Sequence, residues 1–159
     1  ERLGILINKP GISVDSGGVT RDTFRQTYET NVIAPYFITQ ALLPLLKAGP
    51  AGRVVNHSSI LGSMAAMGDP NGVSPEMAVP AYCSSKAALN MLTVTTARTL
   101  EGSNVKVNSA HPGWVKTDMG SDRAPMEVVD GAKTAVALAL LPDDGPTGGF
   151  FHMGEILPW

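Results

Sequence analysis

A tyrosine and a lysine lie four residues apart in the segment Tyr82-Cys83-Ser84-Ser85-Lys86. Residues at positions i and i+4 of an α-helix project from the same face, so a helix here would aim the phenol of Tyr82 and the ammonium of Lys86 at one ligand. A neighbouring cation favours the phenolate and lowers the tyrosine pKa from its usual value of ~10. The pair therefore predicts a general acid/base that works near neutral pH. The alternative is a surface lysine whose methylenes lie along a tyrosine ring.

Two strand-like segments flank this pair. Residues 53–58 predict a short buried strand, and two serine hydroxyls, those of Ser58 and Ser59, lie at its carboxyl end. Residues 105–110 predict another strand, followed by a Pro112-Gly113 turn. In open α/β sheets, ligands bind outside the carboxyl ends of the strands. We therefore expect the serine, the tyrosine helix and the turn to converge on one crevice.

Alternating strand and helix signals predict an α/β fold with parallel strands. Strands are expected at residues 3–8, 53–58, 105–110 and 148–153, and helices at about residues 23–47, 81–100 and 125–141. Residues 9–19, 60–80 and 114–123 are expected to be loops, the last of them the natural place for a substrate lid. No repeat or linker divides residues 1–159, so we expect a single domain.

The composition argues against several classes of protein. Apolar residues make up 43% of the chain and charged residues 16%, as in soluble globular domains. The net charge of −2, without any Lys/Arg run, argues against nucleic-acid binding. No apolar stretch reaches the ~18 residues that span a membrane, and no signal peptide is visible. Cys83 is the single cysteine, which excludes an intramolecular disulfide and fits a reducing compartment, so we expect a cytoplasmic location.

Four features in this order resemble the short-chain dehydrogenase/reductase family. They are Asn31 in the first long helix, Ser59 after a strand, Tyr82-x-x-x-Lys86, and Pro112-Gly113-x-Val115-x-Thr117. The resemblance runs from about Leu3 to Trp159, and the ending at residues 143–151 is most similar to the carbonyl-reductase branch. It implies a doubly wound, Rossmann-like parallel sheet. It also implies hydride transfer between a nicotinamide cofactor, NADP with NAD as the alternative, and a small-molecule carbonyl or alcohol substrate.

The resemblance implies a role for each matched residue. Tyr82 would protonate the carbonyl oxygen, and Lys86 would bind the cofactor ribose and lower the Tyr82 pKa. Ser59 would hold the carbonyl oxygen; it is chosen over Ser58 because the later serine matches the family pattern and lies further beyond the strand end. Asn31 would hold a relay water through its backbone carbonyl. Pro35 lacks an N–H and cannot pair with that carbonyl four residues earlier, which agrees with this role. Cofactor contacts are implied for Asn8, Tyr82, Lys86, Pro112, Gly113, Val115 and Thr117.

The sequence departs from the family pattern in two places. Asn8-Lys9-Pro10-Gly11 stands where the family usually has Asn-Asn-Ala-Gly, and no Gly-rich dinucleotide loop occurs. That loop would supply the pyrophosphate site at a helix N-terminus. Moreover, the near-continuous apolar strand at residues 3–8 calls for a neighbour on both sides. We therefore expect the second, catalytic half of a Rossmann-like domain, inactive by itself and able to self-associate through its strand edge or its long helices.

Two other functions remain open on the sequence. One is a truncated, non-catalytic remnant that acts as a binding module on a partner supplying the missing strands. The other, a serine hydrolase, fits poorly because the chain has no G-x-S-x-G elbow. His57 and His111 have no cysteine or carboxylate at ligand spacing. We therefore expect His57 to be a strand residue and His111 a turn residue, and we predict no metal site.

Overall fold

A five-stranded sheet forms the centre of the molecule. The computed structural model describes the backbone of residues 1–159 and every side chain except that of Ser16. The strands, in spatial order, are β1 (Ile5–Asn8), β2 (Gly52–His57), β3 (Val105–Ala110), β4 (Phe150–His152) and β5 (Glu155–Ile156). The first four are parallel, and β5 runs antiparallel to β4. The expected α/β fold with a parallel sheet is confirmed.

Helices cover both faces of this sheet. They are α1 (Arg21–Tyr28), α2 (Ala34–Lys47), α3 (Met64–Gly68), α4 (Pro80–Thr99) and α5 (Val128–Ala139). One apolar core joins the sheet to α2 and α4 through Leu46, Val54, Ala97, Leu100, Val105 and Val107. The other joins it to α5 through Val55, Ala110, Ala135, Leu138, Ala139 and Phe151. Among the described residues, no helix is long and apolar enough to cross a membrane.

The start and the buried face of α4 agree with the sequence. Pro80 stands at its first position, where the fixed φ of proline suits a helix start and its missing N–H costs nothing. Buried residues then recur every fourth position, at Ala81, Ser85, Leu89, Thr93 and Ala97. This spacing keeps one face of α4 against the sheet. The helix expected at residues 81–100 is therefore confirmed to within one residue at each end.

The long helix expected at residues 23–47 is interrupted. A π-helical stretch, Glu29–Ile33, joins α1 to α2, and the Ala34 N–H donates to the carbonyl of Glu29, five residues back. Pro35 follows directly and has no N–H to offer the Asn31 carbonyl. The proline expected to disturb the helix thus lies beside a local change of helical pitch.

Two further expectations need correction. Residues 60–80 are not irregular throughout, because a 3₁₀ turn (Ile60–Gly62), the helix α3 and a second 3₁₀ turn (Pro75–Met77) lie within them. These elements are too short to leave a periodic apolar pattern. The strand β5 was not expected; the chain reverses into it at Met153 and Gly154, whose φ angles are 49° and 91°.

Candidate active site

Two loops meet at the carboxyl edge of the parallel strands. The strand β2 leads into Ser59, and β3 leads into His111. The Ile60 N–H donates to Nδ1 of His111 at 3.2 Å, and the Gly113 N–H approaches the same nitrogen at 3.4 Å. Burial, with His152 and His57 nearby, lowers the pKa of His111 to about 4. Its imidazole is therefore neutral at physiological pH, as an accepting Nδ1 requires. His111, which the sequence indicated only as a turn residue, links the Ser59 loop to the Pro112 turn.

Tyr82 and Lys86 lie on one face of α4 beside these loops. The Lys86 amine lies 5.5 Å from the centroid of the Tyr82 ring. Lys86 is 1% exposed, and its Nζ donates to the carbonyls of Pro10 at 2.8 Å and His57 at 3.0 Å. The expected i, i+4 pairing is present. The alternative of a surface lysine is excluded by this burial.

The pKa of Tyr82 differs from the expectation. Burial raises the pKa of the phenol, an interaction with the Ser59 hydroxyl lowers it by less, and Cys83 adds a small further increase. Lys86 is not among the groups that lower it, and burial lowers the pKa of the Lys86 amine itself to about 7. The phenol is therefore protonated at neutral pH. A protonated phenol can donate a proton, and a lowered pKa is not needed for that step.

Ser59 faces this phenol, whereas Ser58 does not. The Ser59 oxygen accepts the Leu61 N–H at 3.2 Å, which starts the following 3₁₀ turn, and its hydroxyl interacts with Tyr82. The Ser58 hydroxyl is 3.5 Å from the Lys86 carbonyl on the backbone of α4. The choice of Ser59 over Ser58 agrees with this geometry.

Gly62 brings the Ser59 loop against α4. A Cβ at this position would lie 2.6 Å from the carbonyl carbon of Lys86 and 2.8 Å from the nitrogen of Ala87. The Gly62 carbonyl also accepts a hydrogen bond from the Asn90 side chain at 3.3 Å. Only glycine allows backbones this close. Gly62 was not singled out from the sequence, where the signal was only a glycine shortly after the serines.

Asn31 is completely buried at the π-helical stretch. Its side-chain amide donates to the Ile12 carbonyl at 2.9 Å and to the Ser85 hydroxyl at 3.1 Å. Its Oδ1 accepts the Ile12 N–H at 3.0 Å. The side chain thus joins the loop after β1 to α4. The role implied for Asn31 uses its backbone carbonyl, which these contacts do not occupy.

The turn after β3 has the backbone shape that its sequence suggests. Gly113 has φ of 88°, and a Cβ there would collide with the sulfur of Met126 at 2.2 Å. Val115 forms a parallel bridge with Met126, and its side chain packs where Gly131 of α5 has no Cβ. The Thr117 oxygen accepts the Gly120 N–H at 3.1 Å. Pro112 and these residues follow the same sheet edge as Ser59, but among the described side chains no hydrogen bond joins them to Tyr82 or Lys86.

Asn8 lies in a buried polar network. Its side-chain nitrogen donates to Thr39 of α2 and to Asn56 of β2, both at 2.9 Å. Asn56 donates to Thr93 of α4 at 2.9 Å, and Thr93 lies 2.8 Å from the Ser109 hydroxyl on β3. The side chain of Asn8 therefore ties β1 to the neighbouring strand and helices. The side-chain oxygen of Asn8 takes part in neither of its hydrogen bonds, and a cofactor contact from Asn8 stays a prediction.

No group of three or more potential metal ligands occurs among the described residues. Two of the three histidines, His57 and His111, lie on neighbouring strand ends, and burial lowers the pKa of each to about 4. Both imidazole rings are therefore neutral at physiological pH. The site is thus built from hydroxyl, phenol, amine and backbone groups.

This geometry agrees with comparisons to known proteins. The family model described as short chain dehydrogenase matches residues 1–128, and the chain belongs to the short-chain dehydrogenase family. Within it the chain lies near the carbonyl reductases. The structure of an NADPH-bound carbonyl reductase from chicken fatty liver superposes with a TM-score of 0.83. It is 30% identical, and the match covers 99% of this chain and 66% of that one.

Matches to curated relatives show what share of each relative's length this chain covers. The short-chain dehydrogenase anuI of Penicillium roqueforti is 35% identical over 86% of this chain, but the match spans only 57% of that protein. The C-signal protein of Myxococcus xanthus is 32% identical, and the match covers 99% of this chain and 93% of that protein. The chain thus spans between about half and nearly all of the length of these relatives.

Proposed function

We propose that this chain carries the proton-transfer residues of an NAD(P)H-dependent carbonyl reductase acting on a small aldehyde or ketone. The observation that carries the proposal is the grouping of Tyr82, Lys86 and Ser59 at the carboxyl edge of the sheet. A protonated phenol, a hydroxyl beside it and a buried amine can orient and protonate a carbonyl oxygen, while a bound nicotinamide would supply the hydride. NADPH is the favoured cofactor because the superposed reductase binds it.

The residues divide the work between them. The nicotinamide, when bound, supplies hydride to the carbonyl carbon. Tyr82 donates its phenolic proton to the carbonyl oxygen, and the Ser59 hydroxyl orients that oxygen. The Asn31 backbone carbonyl holds a water through which the Tyr82 phenolate regains a proton. Burial keeps Tyr82 protonated until the oxygen develops charge.

The described residues fit the nicotinamide side of such a cofactor. In its protonated form the Lys86 amine has three donors and directs two of them to Pro10 and His57, which leaves one for a ribose hydroxyl. The turn from Pro112 to Thr117 supplies backbone groups and a hydroxyl at the same sheet edge. The pyrophosphate would be held by a Gly-rich loop that this sequence does not contain. We propose that the 159 residues alone bind the cofactor too weakly for turnover.

Cofactor oxidation measured at 340 nm tests the proposal. The protein that carries this chain, given a panel of aromatic and aliphatic aldehydes and ketones, should oxidise NADPH or NADH only when a carbonyl compound is added. An equal, carbonyl-independent rate with every compound would contradict it. Parallel titrations with the two cofactors would decide between NADP and NAD.

A second candidate function is a binding module that transfers no hydride. The coverage of 93% of the relative named C-signal favours it, because a protein of nearly this length has a name that refers to signalling. The same assay separates the two functions. A binding module would show no carbonyl-dependent oxidation, and its Tyr82→Phe variant would keep full function.

A further inference from the structure

Asp15 caps the helix that carries Tyr82, although the two residues are 67 positions apart. Its Oδ2 accepts the N–H of Ala81 and the N–H of Tyr82, each at 3.2 Å. These are the second and third residues of α4, whose N–H groups have no partner within the helix. They are the donors that a capping side chain normally satisfies.

The helix has no cap of its own. Its N-cap residue is Val79, which makes no side-chain capping bond, and Pro80 has no N–H. Asp15, in a loop distant in sequence, therefore supplies the hydrogen-bond acceptor that the residues before α4 lack. It also places a carboxylate at the positive end of the helix dipole. Its other oxygen, Oδ1, is buried and has no hydrogen-bond partner among the described residues, which costs free energy.

This cap is one of three hydrogen-bonded contacts between the loop after β1 and the site. The Pro10 carbonyl accepts from the Lys86 amine at 2.8 Å. Both backbone groups of Ile12 are bonded to the Asn31 side chain. Asp15 then fixes the first turn of α4. The segment from Pro10 to Asp15 therefore contacts α4 at two places. Asp15 binds the backbone at Tyr82, and Pro10 binds the side chain of Lys86, one turn further along.

We propose that Asp15 is a positioning residue for Tyr82: by holding the first turn of α4, it sets the place of the phenol relative to Ser59. The proposal rests on the proposed function, because the phenol matters only if it transfers a proton. Asp15 acts through the Tyr82 backbone, and its own carboxylate accepts from two amides. Removal of this acceptor should let the first turn fray and move the phenol.

Three variants of the protein that carries this chain test the proposal. Asp15→Ala removes the cap, and Asp15→Asn keeps an acceptor oxygen without the charge. Thr20→Ala is the control, because Thr20 caps α1 by accepting the Thr23 N–H at 3.1 Å and lies outside the site. Steady-state kinetics at a temperature where all variants are folded, and NMR of the amide exchange and ring shifts of Tyr82, are the measurements.

The expected results separate positioning from stability. Asp15→Ala should lower kcat by about tenfold to a hundredfold while the cofactor KM changes by less than about threefold. Asp15→Asn should restore most of kcat. Exchange of the Ala81 and Tyr82 amides should accelerate by about tenfold in Asp15→Ala alone. Thr20→Ala should lose thermal stability but keep kcat.

Two results would overturn the proposal. One is wild-type exchange of the Ala81 and Tyr82 amides in Asp15→Ala. The other is faster exchange with unchanged kcat and unchanged Tyr82 ring shifts, which would leave Asp15 as an ordinary helix cap. If the wild-type protein reduces no carbonyl compound, the proposed function fails separately. The ring shifts of Tyr82 then still decide whether Asp15 positions it.

Discussion

The amine of Lys86 lies 5.5 Å from the centroid of the Tyr82 ring, yet its hydrogen bonds go to the carbonyls of Pro10 and His57. It therefore ties the ends of β1 and β2 to α4. The contact with Pro10 uses a carbonyl, so the proline that departs from the family pattern does not break it. Near neutral pH the pair is a protonated phenol beside an amine that has lost part of its charge.

Lys86→Met should weaken the cofactor contact and change the pH–rate profile. Loss of a charged hydrogen-bond donor should raise the cofactor KM by about tenfold or more. Loss of an amine whose pKa lies at about 7 should also remove its limb from the pH–rate profile. Lys133→Met is the control, since Lys133 pairs with Asp130 on the surface of α5. Wild-type values of both quantities in Lys86→Met would remove Lys86 from the site.

Gly62→Ala should displace the Ser59 loop from α4. The new Cβ would meet backbone atoms of Lys86 and Ala87, which cannot move aside as a flexible side chain could. We expect a loss of about 1–3 kcal/mol in the free energy of unfolding together with a lower kcat. Gly68→Ala is the matched control, because a Cβ there meets nothing within 4 Å. Similar chemical denaturation and kcat for the two variants would contradict the proposed close contact.

Thr93→Val should destabilise the buried network that joins α4 to the sheet. Thr93 accepts from Asn56 and pairs with Ser109, so valine would leave buried polar groups without partners. The free energy of unfolding should fall by about 1–3 kcal/mol. Thr95→Val on the exposed side of the same helix should change it by less than about 0.5 kcal/mol. Equal effects of the two changes, measured by urea denaturation, would show that the network contributes nothing.

Acid should destabilise the fold through the buried histidines. Burial is the main cause that lowers the pKa of His57 and of His111 from 6.5 to about 4. Between these two pH values the unfolded chain binds more protons than the folded one, so stability falls as pH decreases through this window. Melting temperatures should decline from about pH 6.5 downward. His111→Gln, which has no imidazole, should lose part of this dependence. An identical slope in both proteins would contradict the assignment to His111.

Sequence reasoning succeeded where the signal was local. The i, i+4 spacing of Tyr82 and Lys86 and the apolar runs of β2 and β3 predicted elements within about one residue of those observed. Ser59 followed from its match to the family pattern together with its place beyond a strand end. The interruption at Pro35 was also visible, because proline removes one specific donor.

Contacts between distant segments could not be predicted in this way. Asp15 meets α4 across 66 and 67 residues, and Gly62 touches Lys86 only because a short 3₁₀ turn folds back onto the helix. The pKa of Tyr82 was expected to fall because a lysine is near in sequence. It rises because burial is the largest influence on the phenol, and burial depends on the assembled fold.

The most direct test of the central claim is the rate of hydride transfer in Tyr82→Phe. This variant keeps the ring that packs against Lys86 but has no proton to give. In single-turnover experiments with saturating NADPH, hydride transfer to a carbonyl compound should slow by about a hundredfold to ten-thousandfold while cofactor binding stays nearly unchanged. Tyr28→Phe, on α1, should behave as wild type. A Tyr82→Phe enzyme that kept more than about half of the wild-type rate would show that Tyr82 is not the proton donor.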